Sequence, residues 1–382
     1  MAEASHSGAD IAANVERMFQ RAFALHGQGA HDDARAIYEQ IFSAVPGHPG
    51  TLQMLAALAF YQGDAVQGEA YRDKALRNYR HAMAQIPPQQ IPALMNLRAG
   101  LMNLLLSADE TEAAAAEAKR LQLPLQPMFA QPQEWQRLRN QAIRNRRPRI
   151  VLNTIPKSAS ETVWNRLAKG LGMAQCHVSL GLFPNCMAVP GRVREFAKGG
   201  IVTKEHLAPT RFNVRSLTDA GIDRLVLHLR DPRQVLLSWA YFVRDDIAQT
   251  PLGPLWRQTC PPAAYLQGDF NALLDWCVDR YLPQVVAFIE GWAAIADDPD
   301  TPLSVRFSTF EHFLEAPEDH LRDILAFYEQ PLDVMDTRAD AADGHFRRGK
   351  RDEWRDALTA EQKARANAQL PAWILERFGW SR

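Results

Sequence analysis

The sequence predicts an α/β fold built on a parallel sheet flanked by helices, together with an N-terminal all-α helical-repeat domain. Three observations carry this reading. Apolar runs at Ile150-Val151-Leu152, Arg224–Leu229 and Leu303–Phe307 alternate with helical patterns, the rhythm of a parallel sheet covered on both faces. In the N-terminal third, Gly29 and Gly63 stand 34 residues apart in a helical background, the period of a stacked helix pair. Between the two regions, Gln122–Pro132 is rich in proline and glutamine, which marks a boundary.

With 382 residues the chain is too long for one typical domain. Residues 1–12 are expected to be a disordered N-terminus, 13–123 the repeat domain, 124–147 a linker with a basic helix, and 148–382 the α/β domain. A formal net charge of −1 gives no bulk attraction to nucleic acid or to a membrane surface, so any anion site must be local. Cys176, Cys186, Cys260 and Cys277 form no CxxC pair and have no histidines at zinc spacing. They read as reduced thiols of a cytoplasmic protein, and no metal is expected. The N-terminal residues lack a basic stretch followed by an apolar one, and no run of about 18 apolar residues occurs, so neither a signal peptide nor a membrane span is expected.

In the repeat region Gly29-Ala30-His31, Ala34 and Tyr38 lead to Pro46, and Gly63-Asp64 recurs with Ala75 downstream. Small residues suit the contact between the two helices of a pair, and Pro46 ends the second one. These residues resemble tetratricopeptide repeats, with Ala93–Leu123 as a third, degenerate unit. The resemblance implies either a structural cap or a concave surface for a peptide or protein partner. After the boundary, six arginines fall between Arg137 and Arg149; a run of this kind reads as a solvated helix face.

The chain is organised around Arg149–Leu167. A buried strand at Ile150–Leu152 leads into the turn Thr154-Ile155-Pro156-Lys157-Ser158-Ala159-Ser160, followed by a helix carrying Val163, Leu167 and Leu171 on one face. The arrangement is P-loop-like: the first helical N–H groups have no intrahelical acceptor and sit at the positive end of the helix dipole, which suits a phosphate or sulfate. Lys157 adds a cation. It is not a Walker A loop, because Gly-x4-Gly-Lys is absent, and a phosphate-transferring kinase reading also lacks an evident Mg²⁺-binding aspartate. Two further strands end in Lys204-Glu205-His206-Leu207 and in Arg230-Asp231-Pro232. Asp231 is a suitable N-cap and Pro232 a suitable first helical residue. Ser238, seven residues after the cap, returns to the same side of that helix. Leu252–Gly268, with its prolines and glycines, is expected to be a long surface loop. Ligands of parallel sheets bind beyond the carboxyl ends of the strands, where Lys157, His206 and Arg230 all lie.

From about Arg149 to Thr359 these motifs resemble the sulfotransferases that use 3′-phosphoadenosine-5′-phosphosulfate (PAPS), closest to the cytosolic type. The Thr154–Ser160 turn is similar to the family's 5′-phosphosulfate loop, Arg230-Asp231-Pro232-Arg233 with Ser238 to its 3′-phosphate motif, and Lys204–Leu207 to the segment bearing its catalytic histidine. Phe346-Arg347-Arg348-Gly349 with Trp354 and Thr359 resembles the C-terminal loop that closes over the donor. Val305–Glu311 resembles the strand and turn before that loop. The resemblance implies His206 as general base and Lys157 on the bridging oxygen. It also implies a PAPS site made of Lys157, Ser158, Ala159, Ser160, Arg230, Ser238, Arg347, Arg348 and Gly349. The acceptor it implies is a hydroxyl, on a carbohydrate or a small molecule. The chain departs from the pattern at Ala159 (usually Gly), Glu161 (commonly Thr, so expected to turn outward), Thr162 (a Trp that stacks on adenine) and Asp352-Glu353. Two readings stay open: a PAPS-dependent sulfotransferase, or a repeat-based binding protein whose sulfotransferase-like domain is inactive.

Overall fold

A computed structural model describes residues 8–87, 89–245, 250–331, 333, 335–336 and 351–381. Two compact units are distinguished, one taking the chain up to Glu110 together with Ala240–Leu273, the other Thr111–Trp239 together with Leu274 onward.

The first unit is helical: α1 (Gly8–Gly27), α2 (His31–Ala44), α3 (Pro49–Tyr61), α4 (Ala65–Gln85) and α5 (Ile91–Ser107). The 34-residue recurrence marks one kind of turn. Gly29 and Gly63 both take positive φ, 79° and 86°, a conformation that costs glycine little. After each, the next residue's N–H reaches back five residues, Ala30 to Leu25 O and Asp64 to Ala59 O. The pattern recurs at Asp109 (φ 65°) with Glu110 N–H donating to Leu105 O. Ala22, Ala34, Tyr38, Met54, Leu55 and Leu58 form the core of this unit.

Leu252–Gly268 is not the surface loop the sequence suggests. Its Gly253–Leu255 turn packs on α3, and Leu255, Trp256 and Cys260 are buried. Arg257 lies over Phe60 (4.9 Å) and pairs with Glu69 (2.7 Å). Proline and glycine shape the chain here while the apolar side chains between them bury against α3.

The second unit opens with α6 (Thr111–Ala118) and α7 (Pro132–Arg144), then β1 (Ile150–Thr154), α8 (Ser160–Leu171), β2 (Ala174–Cys176), a small antiparallel pair β3 (Ser179–Leu180) and β4 (Met187–Ala188), and α9 (Pro190–Phe196). It continues through β5 (Ile201–Glu205), α10 (Arg211–Thr218), β6 (Arg224–Leu229) and the start of α11 (Pro232–Asp245). Beyond α12 (Ala263–Leu266) and α13 (Phe270–Trp276) come a π-helical turn, α14 (Leu282–Asp297), β7 (Ser304–Thr309), α15 (Phe310–Glu315) and α16 (Pro317–Phe327). Short helices α17 (Trp354–Ala357), α18 (Ala360–Ala368) and α19 (Ala372–Phe378) follow.

The main sheet has five parallel strands in the order β2-β5-β1-β6-β7. The chain leaves β1 toward β2 and leaves β6 toward β7, in opposite directions. The crevice beyond the carboxyl ends of β1 and β6 is therefore the topological switch point, where ligands of such sheets bind. The basic run before β1 is only partly solvated. Arg137 pairs with Glu134 at the surface, whereas Arg139 is buried, bound to Glu195 (2.9 Å) and to the Glu195 and Gly199 carbonyls. Gly200 is what admits it: a Cβ there would meet Arg139 O at 2.4 Å. Among the described residues no helix is long and apolar enough to cross a membrane.

Candidate anion-binding site

Three chain segments meet at the switch point, and the hydrogen bonds that join them are short and mostly buried. After β1 the chain turns through Ile155–Ala159, and Ser158 Oγ donates to Ile155 O (2.9 Å) to close the turn. Ser158 thereby spends its hydroxyl on the protein, so what it offers an anion is its main-chain N–H. Lys157 and Ala159 both have positive φ, 64° and 61°. The Ala159 position thus does take the conformation glycine favours, at a cost of roughly 1–2 kcal/mol to a residue with a Cβ. Ala159 O accepts from Thr162 and Val163 N–H, which leaves Ser160 and Glu161 N–H at the open end of α8.

From β6, Arg230 Nη1 donates to Lys157 O (2.9 Å), and the guanidinium lies 4.1 Å from the centroid of Phe310. Arg230 is therefore a buried strut of the loop. Asp231 N–H donates to Glu311 (3.1 Å), whose carboxyl is pushed up by burial. Arg233, in the same motif, is not available to a ligand: it is 0% exposed, forked onto Asp231 (2.9 and 2.7 Å), and bound to Asn367 and Ser381 O. The Trp354 ring lies 4.0 Å beneath it. Ser238 is half-buried in α11, two turns beyond Asp231. Arg347, Arg348 and Gly349 lie outside the described residues.

His206 follows β5 directly. Asn153, at the end of β1, grips the next residue from both sides, donating to Leu207 O (3.2 Å) and accepting from Leu207 N–H (2.7 Å). His206 Nδ1 is 2.6 Å from Thr154 O. A carbonyl can only accept, so Nδ1 carries the proton and Nε2 presents its lone pair. Burial, then the Lys204 charge, lowers this imidazole to about 4. At neutral pH it is uncharged, in one tautomer.

Glu161 does not turn outward. Its carboxylate pairs with Lys204, which is 10% exposed and lies 5.4 Å from the Trp164 ring centroid. The pair ties the first turn of α8 to the end of β5 and holds two opposite charges beside the cradle. Beneath, Glu205 is buried and accepts from Val178 N–H (2.7 Å) and Ser179. Burial opposes its ionisation, but His177, and then the Ser179 and Thr203 hydroxyls, hold its carboxyl below the ordinary range.

Sequence reasoning missed Asn153, His228 and the Glu161–Lys204 pair. Asn153 and His228 each interrupt an apolar strand, and a polar side chain in a buried strand needs a partner; that was the available signal. Among the described residues no group of three His, Cys, Asp or Glu is placed to hold a metal ion. No protein-family model, no curated protein and no solved structure matches this chain.

Proposed function

We propose that the chain is a sulfotransferase that moves a sulfuryl group from PAPS to an acceptor hydroxyl. The observation that carries this reading is the convergence at one switch point of an N–H-rich loop bearing Lys157, the Arg230 guanidinium, and a neutral histidine with Nε2 presented. The Ser158–Glu161 N–H groups and Lys157 would meet the 5′-phosphosulfate; Arg230 and Ser238 would serve the 3′-phosphate, with Arg347, Arg348 and Gly349 as further candidates. In the step, the acceptor O–H gives its proton to His206 Nε2 as its oxygen bonds to sulfur. The S–O bond to the 5′-phosphate breaks and its electron pair stays on the phosphate. The products are a sulfate ester and 3′-phosphoadenosine-5′-phosphate. Lys157 would stabilise charge growing on that leaving oxygen, and the site's main contribution is in-line placement. The acceptor reading, a carbohydrate or small-molecule hydroxyl, rests on the resemblance.

A transfer assay with radiolabelled donor and a panel of sugars and phenols tests the reading. His206→Ala is expected to lower turnover by roughly 10²–10⁴ while leaving donor binding nearly intact. Wild-type protein that binds nucleotide but never transfers label would favour the inactive binding protein instead.

A further inference from the structure

His228 lies in the buried part of β6 and is 0% exposed. Its Nε2 is 2.9 Å from Ser158 O, and its Nδ1 is 2.9 Å from Ser308 Oγ on β7. The Ser158 carbonyl only accepts, so Nε2 carries the proton and Nδ1 accepts the Ser308 hydroxyl. His228 and Arg230 are two residues apart along the strand direction, hence on one side of it. Together they seize two consecutive carbonyls of the turn, Ser158 O and Lys157 O.

In a planar trans peptide the C=O and the following N–H point in opposite directions. A Ser158 carbonyl fixed toward β6 turns Ala159 N–H away from it, and a Lys157 carbonyl fixed by Arg230 does the same for Ser158 N–H. We propose that His228 is a positioning residue of the anion loop, which aims Ala159 N–H at the bound anion by holding the Ser158 carbonyl inward. Ser308 holds the ring in the required tautomer. The arrangement also explains how a turn with two non-glycine residues at positive φ keeps its shape: its carbonyls are bonded from below. The proposal rests on the sulfuryl-transfer reading only for the identity of the anion.

The test uses the full chain and three probes: 3′-phosphoadenosine-5′-phosphate, adenosine 3′-phosphate and inorganic sulfate. His228→Leu removes the donor, and His228→Gln keeps an N–H at the position of Nε2. Expected is a loss of roughly 10–100-fold in affinity for the bisphosphate with Leu, the size of one hydrogen bond to a charged group. Adenosine 3′-phosphate, which lacks the 5′ anion, is expected to bind unchanged, and Gln to restore bisphosphate binding to within about threefold of wild type by the same principle. Equal loss of both nucleotides, a Gln variant as weak as Leu, or a folded Leu variant that binds like wild type would each overturn the proposal. If the Leu variant does not fold, Ser308→Ala decides. A loss of about threefold or more for the bisphosphate alone supports the role, and no loss overturns it. Sulfate separates the two claims. If it shifts the Ser158 and Ala159 amide resonances while no nucleotide binds, the sulfuryl-transfer reading falls, the loop assignment stands, and the variants are scored by sulfate. If sulfate and nucleotide both leave those resonances unmoved, the positioning role falls too.

Discussion

Glu161 and Lys204 neutralise each other at the mouth of the cradle, and this has a measurable consequence for an anion. A carboxylate in the first turn of α8 favours the helix but opposes a second negative charge at the same N–H groups. Glu161→Gln removes it and releases the Lys204 ammonium. Affinity for 3′-phosphoadenosine-5′-phosphate is expected to rise several-fold, with a steeper loss on adding salt; calorimetry at two ionic strengths reads both, and weaker binding would show that the pair builds the site. Ala159→Gly relieves a left-handed residue and is expected to raise stability by roughly 0.5–1 kcal/mol, the strain exceeding the added freedom of the unfolded chain. A lower melting temperature would contradict that. For His206 as the proposed base, the acid limb of kcat/KM is expected near pH 4 rather than 6.5, since burial holds this imidazole at about 4 in the unliganded protein. At the residue scale the sequence marked Lys157, His206 and Arg230 as candidates by type and by their place after strands, and the structure joins their segments through the Arg230–Lys157 O and His206–Thr154 O bonds. The sequence was silent on what each touches. That Arg233 would be consumed by Asp231 and the C-terminal segment, while Arg230 also props the loop, follows from tertiary contacts that no local pattern encodes.

Elements were legible in proportion to their periodicity. The strands at 150, 224 and 304 and the helices after them stand where apolar runs and caps put them. The short β2, Ala174–Cys176, was hidden in a stretch rich in glycine and proline, because three residues carry no period. Leu252–Gly268 misled for a related reason: turn residues announce irregular backbone, but not whether the tryptophan and leucine between them find a core. A buried arginine is one of the ties that hold the C-terminal elements, beside Arg365 on Asp275 and Asp279 and Arg377 on Asp297. Arg233 meets Asp231, Asn367, Ser381 O and the face of Trp354, and Trp354 N–H donates to Gln234 (3.2 Å). Arg233→Ala leaves Asp231 buried without its counter-ion, which is expected to cost roughly 3–5 kcal/mol. Denaturant unfolding checks this, and a change below about 1 kcal/mol would place the anchor elsewhere.

Across the whole molecule, buried neutral histidines set the acid limit of stability. Burial lowers His26 and His228 to about 4 and His320 to about 2. Both ring nitrogens of His320 lack hydrogen-bond partners. Below pH 6.5 the unfolded chain takes up these protons and the folded chain does not, so stability falls as pH falls from 6.5 toward 4. Each group contributes about 1.4 kcal/mol per pH unit in that window. His320→Leu is expected to flatten this slope and to raise stability at neutral pH, since an apolar side chain replaces unsatisfied polar atoms. A variant with the wild-type slope would exclude His320 from the acid limb.

Calorimetric titration with 3′-phosphoadenosine-5′-phosphate tests the proposed nucleotide site at the switch point between β1 and β6 without knowledge of the acceptor. Expected is saturable binding of one nucleotide per chain, weakened by roughly 1.5–3 kcal/mol in Arg230→Ala, the value of a hydrogen bond to a charged group. Absence of binding to the folded wild type, or binding that Arg230→Ala leaves unchanged, would contradict it.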